Sequence, residues 1–277
     1  MKKYLSLILA VVMMASVLAG CGGKKSELTF TTGSETGTYY GFGTVLAGQI
    51  SDDTDTTVTA IVGKGSKANI ELMDVGDAQM GLVQSDVMAY AYNGTSLFEK
   101  AITGFSTVAA LYMEQVQIVT LDPDIKSVAD LKGKKVSVGE SGSGVYFNAI
   151  DVLAAYGMTL DDIEPTYQSF GDSTEALQDG LIDAGFIVSG APTNAITALA
   201  ANRDVYIVEL DDEHIEKLID ASPYTARTSS PAQPRKPTVW MLMLPPLPSV
   251  LSSLPATMFP RTMCTTWSPA SSTAWTP

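Results

Sequence analysis

Histidine and cysteine are nearly missing from this 277-residue chain, which has one histidine, His214, and two cysteines, Cys21 and Cys264. Two cysteines imply no disulfide framework. A zinc site or a catalytic triad needs further imidazole or thiolate groups, and the body of the chain has none to offer. His214 itself lies in the acidic run Asp211–Glu216, the pattern of a solvated helix face. Positive charge is scarce as well: 17 Lys and Arg stand against 30 Asp and Glu, and before residue 223 the only arginine is Arg203. With a net charge of -13 and no basic stripe to neutralise phosphates, a nucleic-acid partner is excluded. A serine-hydrolase elbow is missing too, because Gly139-Glu140-Ser141-Gly142-Ser143 lacks the closing glycine. These absences describe a protein that is not an enzyme and uses neither cofactor nor metal.

What is present begins with the stretch from Val136 to Ile150. A β-branched run (Val136, Val138) enters the glycine-rich turn Gly139–Gly144, and a helix-like run follows from Val145. The first turn of a helix has unpaired N–H groups and the positive end of the dipole, so small residues there let an anion approach the backbone. The plainer reading is that Ser141 or Ser143 caps the helix and the glycines make the turn. A second copy of the pattern lies about a hundred residues earlier: strand Leu28–Thr32, loop Gly33–Thr38, then a helix from Tyr39. In open α/β sheets ligands bind where such loops meet helix starts. Two such ends facing each other make a cleft between two lobes.

The rest of the chain fits that plan. A hydrophobic content of 45% supplies one large or two modest cores. Thr56–Val62 reads as a strand and Asn69–Val75 as a helix, with Ser66 as its cap and its hydroxyl toward the cleft. Gly63, Gly65 and Ala68 fit a dinucleotide fingerprint as text, with Asp86 as the ribose acid, but a short isolated fingerprint is weak. A short strand ends in Gln84 and Ser85, both at the cleft edge, while Asp86 serves the following helix start. Val108–Tyr112 and Val116–Leu121 read as consecutive strands around Met113-Glu114-Gln115, where the chain crosses between lobes. Later come a helix from Thr174 to Leu181, a strand Ile182–Val188, the loop Ser189–Pro192, a helix from Thr193 to Ala201 and a strand Asp204–Leu210. Alternating strands and helices predict an α/β fold with parallel-rich sheets covered on both faces.

At the N-terminus, Lys2 and Lys3 precede the apolar run Leu5–Val17, which has the form of an export signal. Leu18-Ala19-Gly20-Cys21 resembles the bacterial lipobox, which implies that Cys21 is lipidated and holds the protein at the outer face of a membrane. The resulting division is a signal peptide over 1–20, a tether over 21–27, lobe 1 over 28–115, lobe 2 over 116–208 and a return toward lobe 1 over 209–222.

Taken in order, the lipobox, Gly33–Gly43 with its Thr-Gly-Thr-Tyr-Tyr core, Gly65-Ser66, Gly81–Asp86, Leu131–Gly139, Gly142-Ser143-Gly144 and Gly190-Ala191-Pro192 resemble the TAXI family of extracytoplasmic solute receptors. The resemblance covers about Leu28 to Ser222. It implies a two-lobed periplasmic-binding-protein fold that closes on a small carboxylate, glutamate, glutamine or a dicarboxylate, and delivers it to a TRAP-type membrane permease. Carried over by motif, the ligand-contacting residues are Thr38, Tyr39, Ser66, Gln84, Ser85, Ser141, Ser143, Gly144, Gly190 and Ala191. Val145 stands where the family usually has threonine, which leaves only its backbone N–H as a contact. Tyr39 has an alternative reading as a core aromatic with its hydroxyl at the surface. With no arginine near these loops, a carboxylate would rest on helix N-termini and hydroxyls. Two rival readings stay open: an ABC-type binding lipoprotein for amino acids or a thiamine-precursor-like solute, and a surface sensor without a transporter.

From Pro223 the composition changes. No Gly, Asp or Glu occurs to the end, while eleven of the fourteen prolines and all three tryptophans fall in 223–277. No strand or helix period survives there, and the tail is not expected to follow the fold. It reads either as a disordered extension or as the product of a frame shift near Tyr224. Read from each codon's third base, the segment from Pro237 to Leu244 permits tyrosine-glycine-valine-aspartate-alanine-aspartate-valine, with the aspartate between Trp240 and Met241 forced by their single codons. That segment would suit a return to lobe 1, leaving this chain without the end of that lobe and with an open sheet edge.

Overall fold

The computed structural model of the chain describes residues 26–229 and 237–241. Cys21 and the signal segment lie outside the described residues, as does most of the proline-rich tail. The first lobe is built on a three-stranded parallel sheet, β1 (Ser26–Thr31) between β2 (Thr56–Ile61) and β3 (Met80–Gly81). Helices α1 (Thr38–Asp53), α2 (Ser66–Asp74) and α3 (Ser85–Asn93) connect and cover these strands. Phe30, Leu46, Ala47, Ile50, Val58 and Leu82 form the core between β1, β2 and α1.

The second lobe carries the larger, mixed sheet. Strands β5 (Lys135–Ser137), β6 (Glu164–Thr166) and β7 (Ala184–Ser189) run parallel, and β4 (Glu114–Thr120) lies antiparallel to β7. Helices α4 (Gly144–Ala155), α5 (Phe170–Gln178), α6 (Asn194–Ala200) and α7 (Asp212–Ala221) complete it, with the two-residue β8 (Tyr206–Ile207) on β4. Every residue of β4 and β7 is buried. The segment 209–222, read as heading back to lobe 1, packs on the second lobe instead, because Ile215 and Leu218 of α7 join the core of Val116, Ile118, Val152 and Phe186.

Val108–Tyr112 is not a strand. No neighbouring strand takes its hydrogen bonds, Val108 is exposed, and Leu111 and Tyr112 pack on the first core as irregular chain. In the tail, where the sequence shows no strand period, β9 (Thr225–Ser229) and β10 (Pro237–Met241) form an antiparallel pair, and β10 is seated on the end of β4 at Gln115 and Glu114. The main-chain groups of β4 at that end supply the register that the tail's side chains do not.

A third apolar cluster joins the lobes. Ile70, Val87, Ala91, Phe98 and Ile102 of the first lobe surround Phe147, which comes from α4 of the second. Phe147 lies close to parallel with Tyr90 at 5.8 Å and with Phe98 at 5.9 Å between ring centroids.

Candidate functional site

Four helices begin at one cavity between the lobes: α1 at Gly37 and Thr38, α2 at Gly65 and Ser66, α4 at Ser143 and Gly144, and α5 at Ser169 and Phe170. Each has at least nine residues, so each brings a positive dipole end and first-turn N–H groups outside the helical ladder to the same place. Local sequence explains the placement. β5 is followed by Gly139 at φ +83°, and a Cβ there would lie 2.6 Å from Val145 Cβ, so only glycine lets the chain turn into α4. Ser143 caps that helix, its Oγ accepting from the Tyr146 N–H at 3.2 Å. Ser169 does the same for α5, accepting from the Asp172 N–H at 3.2 Å.

Of the residues the sequence singles out, Thr38, Tyr39, Ser66, Gln84, Ser143, Gly144 and Val145 line this cavity. Four do not. Ser85 is buried in the first turn of α3 and Ser141 is exposed outside the cavity. Gly190 and Ala191 stand behind Ser189, which lines it instead. The caps also differ from expectation. The Ser66 hydroxyl does not cap α2, whose cap position is Gly65; it accepts from the Gln84 N–H at 3.0 Å. Tyr39 is both core and site: it meets Tyr112 edge to face, and its hydroxyl, rather than reaching the surface, donates to Glu114 Oε2 at 3.1 Å.

The lining residues that sequence reading missed are chiefly Lys64, Glu114, Glu140, Ser169, Phe170 and Ser189. Ser169-Phe170-Gly171-Asp172 carried a usable signal, since Ser-x-x-Asp before an apolar run marks a helix start. Glu114 carried a weaker one, a carboxylate inside an otherwise buried strand.

The lobes are clasped across the cavity, which encloses about 50 Å³. The Thr38 N–H donates to Ser189 Oγ at 3.1 Å, Ser189 Oγ donates to Thr38 Oγ1 at 2.9 Å, and Thr38 Oγ1 donates to the Gly190 carbonyl at 3.4 Å. On the other side the Ala68 N–H donates to the Gly142 carbonyl at 3.0 Å. Below them Gln84 Nε2 donates to Asn148 Oδ1 at 2.9 Å, and Asn148 Nδ2 donates to Asp86 Oδ2 at 3.1 Å.

Acidity is concentrated under this network. Burial pushes Glu114 up to about 8 and Asp86 up to about 7, the latter helped by the nearby Asp151 carboxylate. Burial also raises Glu140, against the opposing pull of Lys64. Glu114 therefore holds its proton through neutrality unless a cation replaces it. The arrangement suits binding of an oxyanion at the helix ends.

Two α/β lobes with helix starts gathered on the cleft between them are the architecture of the two-lobed periplasmic binding proteins. A family model described as the NMT1-like family matches residues 30–236, about three quarters of the chain, and the chain belongs to that family. An Escherichia coli (strain K12) protein assigned to aliphatic sulfonates binding is 39% identical over 70 residues, 25% of this chain and 22% of that protein. A solved structure from Bordetella bronchiseptica RB50 matches with a TM-score of 0.52 at 17% identity, over 79% of this chain and 64% of that one. The periplasmic aliphatic sulphonate binding protein SsuA of Escherichia coli matches with a TM-score of 0.44 at 20% identity, over 78% of this chain and 65% of its own. The chain thus spans less than two thirds of the length of each of these relatives.

Proposed function

We propose that the protein is an extracytoplasmic solute receptor, lipid-anchored through Cys21 to the outer face of a bacterial membrane. In this reading it hands a small carboxylate, glutamate, glutamine or a dicarboxylate, to the membrane subunits of a TRAP-type transporter. The observation that carries this reading is the convergence of four helix N-termini on one interlobe cavity. Aligned first-turn N–H groups bind an oxyanion without a cationic side chain, which fits a chain whose one arginine before residue 223 is Arg203. The ligand-contacting set we propose is Thr38, Tyr39, Ser66, Gln84, Ser143, Gly144 and Val145, joined by Ser169 and Ser189; Ser85, Ser141, Gly190 and Ala191 act at most indirectly. Membership of the NMT1-like family supports a binding role over an enzymatic one.

A second reading, a binding lipoprotein of another transporter type for a sulfonate-like oxyanion, is favoured by the 70-residue match to the Escherichia coli protein. One experiment separates the two. The melting temperature of the full chain is measured with L-glutamate, L-glutamine, succinate and ethanesulfonate, and a ligand at a hundred times its Kd is expected to add about 2.7 kcal/mol of stability. A rise with the carboxylates alone supports the first reading; a rise with ethanesulfonate alone replaces it by the second. No rise with any of them rejects both.

We also propose that residues 223–277 are read out of frame. Resequencing the gene from the codon for Ala221 to that for Leu244 is expected to find a base gained or lost near Tyr224. An unchanged frame rejects the idea.

A further inference from the structure

We infer that Glu114 is the specificity-determining residue of the cleft, an anionic counter-group that reads a cationic group on the solute, so that the site takes an amino acid and turns away the same acid without its amino group. This rests on the solute-receptor reading above and narrows it.

Glu114 opens β4, at the point where the chain passes from one lobe to the other, and it lines the cavity while only 3% exposed. Among the described residues no ion pair includes it. A buried carboxylate without a counter-charge is strongly unfavourable, and placed against a ligand cavity it is balanced when the ligand brings the charge. A second acceptor faces the same space. Gln84 Oε1 is buried, lines the cavity and has no hydrogen-bond partner. The donors of the site are helix N–H groups, suited to a carboxylate; the acceptors are Glu114 and Gln84 Oε1. An ammonium group has three donors and no acceptor, which matches that pair. A zwitterion satisfies both ends of the cavity, whereas a plain dicarboxylate or sulfonate leaves Gln84 Oε1 unpaired and Glu114 protonated without a counter-charge.

The groups facing Glu114 decide its response to pH. Tyr39 comes from α1 and donates to it, Tyr112 lies on the crossing segment, and Asp86 of α3 adds a like charge. Lys64 and Glu140 line the same cavity from the loops before α2 and α4. Lys64 is solvent-exposed, and so only partly offsets the carboxylates. With burial pushing Glu114 up to about 8, uptake of an ammonium group expels its proton. Affinity for the amino acid therefore rises about tenfold between pH 6 and 7 and less steeply, roughly fivefold, between 7 and 8.

The test is isothermal titration of the full chain at pH 8 with L-glutamate and L-glutamine against glutarate and glutaramate, the same skeletons without the amino group. The wild type is expected to prefer an amino acid over its deaminated partner by a hundredfold or more. At pH 7 it should release close to one proton per ligand, read from the dependence of heat on buffer. Glu114→Gln should bring the two partners within tenfold of each other and abolish the proton release. Equal binding of both partners by the wild type overturns the inference and leaves the receptor reading intact. Retained preference in Glu114→Gln overturns it as well. Binding of none of the four ligands overturns the carboxylate-receptor reading and the inference with it. The wild-type comparison and the proton count need no variant, so a Glu114→Gln chain that fails to fold does not protect the idea.

Discussion

Gly144→Ala is expected to weaken solute binding roughly tenfold to a hundredfold, measured by isothermal titration, in a chain that still folds. A Cβ on Gly144 would stand 1.5 Å from Gln84 Oε1, 2.4 Å from Gln84 Cδ and 2.8 Å from Ser66 Oγ. Elsewhere a glutamine would swing aside. Here the side chain is held through Nε2 by Asn148 across the seam between the lobes, and its main-chain N–H by Ser66 within the first lobe. The strain is relieved by parting the lobes at the helix start of α4, where the first-turn N–H groups meet the ligand. Overpacking of this kind typically costs about 1–3 kcal/mol, and the cost falls on the closed form because the clash is between lobes. Unchanged affinity would show that Gly144 and Gln84 are not pressed together when solute is bound.

Phe147→Ala is expected to cost about 3–5 kcal/mol of stability, read from the shift in the urea midpoint. The ring is 1% exposed and packs with Tyr90 on one neighbour and Phe98 on another, with Ile70, Val87 and Ile102 completing its surroundings. No other contact joins the lobes through so large an apolar group in this cluster. A domain with 5–15 kcal/mol of total stability loses a large share of it, and the loss should appear as a separation of the two lobes' unfolding transitions. If the midpoint moves by less than the equivalent of 1 kcal/mol, the aromatic cluster is not what holds the lobes in register.

How much of this was legible follows from where each signal resides. The strand, glycine turn and helix start at 136–150 and at 28–39 are local patterns, and they led directly to Thr38, Tyr39, Ser143 and Gly144. A hydroxyl just before a helix usually caps it, which is the local expectation for Ser66. The tertiary structure overrode that preference: the Ser66 hydroxyl receives the N–H of Gln84, eighteen residues away. Ser169 lacks the glycine signal of the other helix starts, since α5 begins on a serine–aspartate box without a glycine turn before it. The role of Glu114 is not legible locally, because its partner Tyr39 is 75 residues distant and nothing in the neighbouring sequence brings them together. Val108–Tyr112 has β-branched character, yet a strand exists only where another accepts its pairing, and that is a property of the assembled sheet.

The clasp across the cleft has a consequence for time rather than affinity. Thr38, Ser189 and Gly190 bridge the lobes on one side of the cavity, and Ala68 with Gly142 on the other, so these bonds must break before the lobes can part around a bound molecule. Each contributes on the order of 1 kcal/mol net, and Phe147 must slip from its socket as the lobes part. Departure is then governed by how often the protein opens, a frequency belonging to the chain itself and shared by every occupant. Chemically different guests would differ in how readily they are captured and leave with nearly the same half-life. Any membrane partner that hastens release would have to act on these five residues' contacts, prying the two lobes apart instead of competing for the guest.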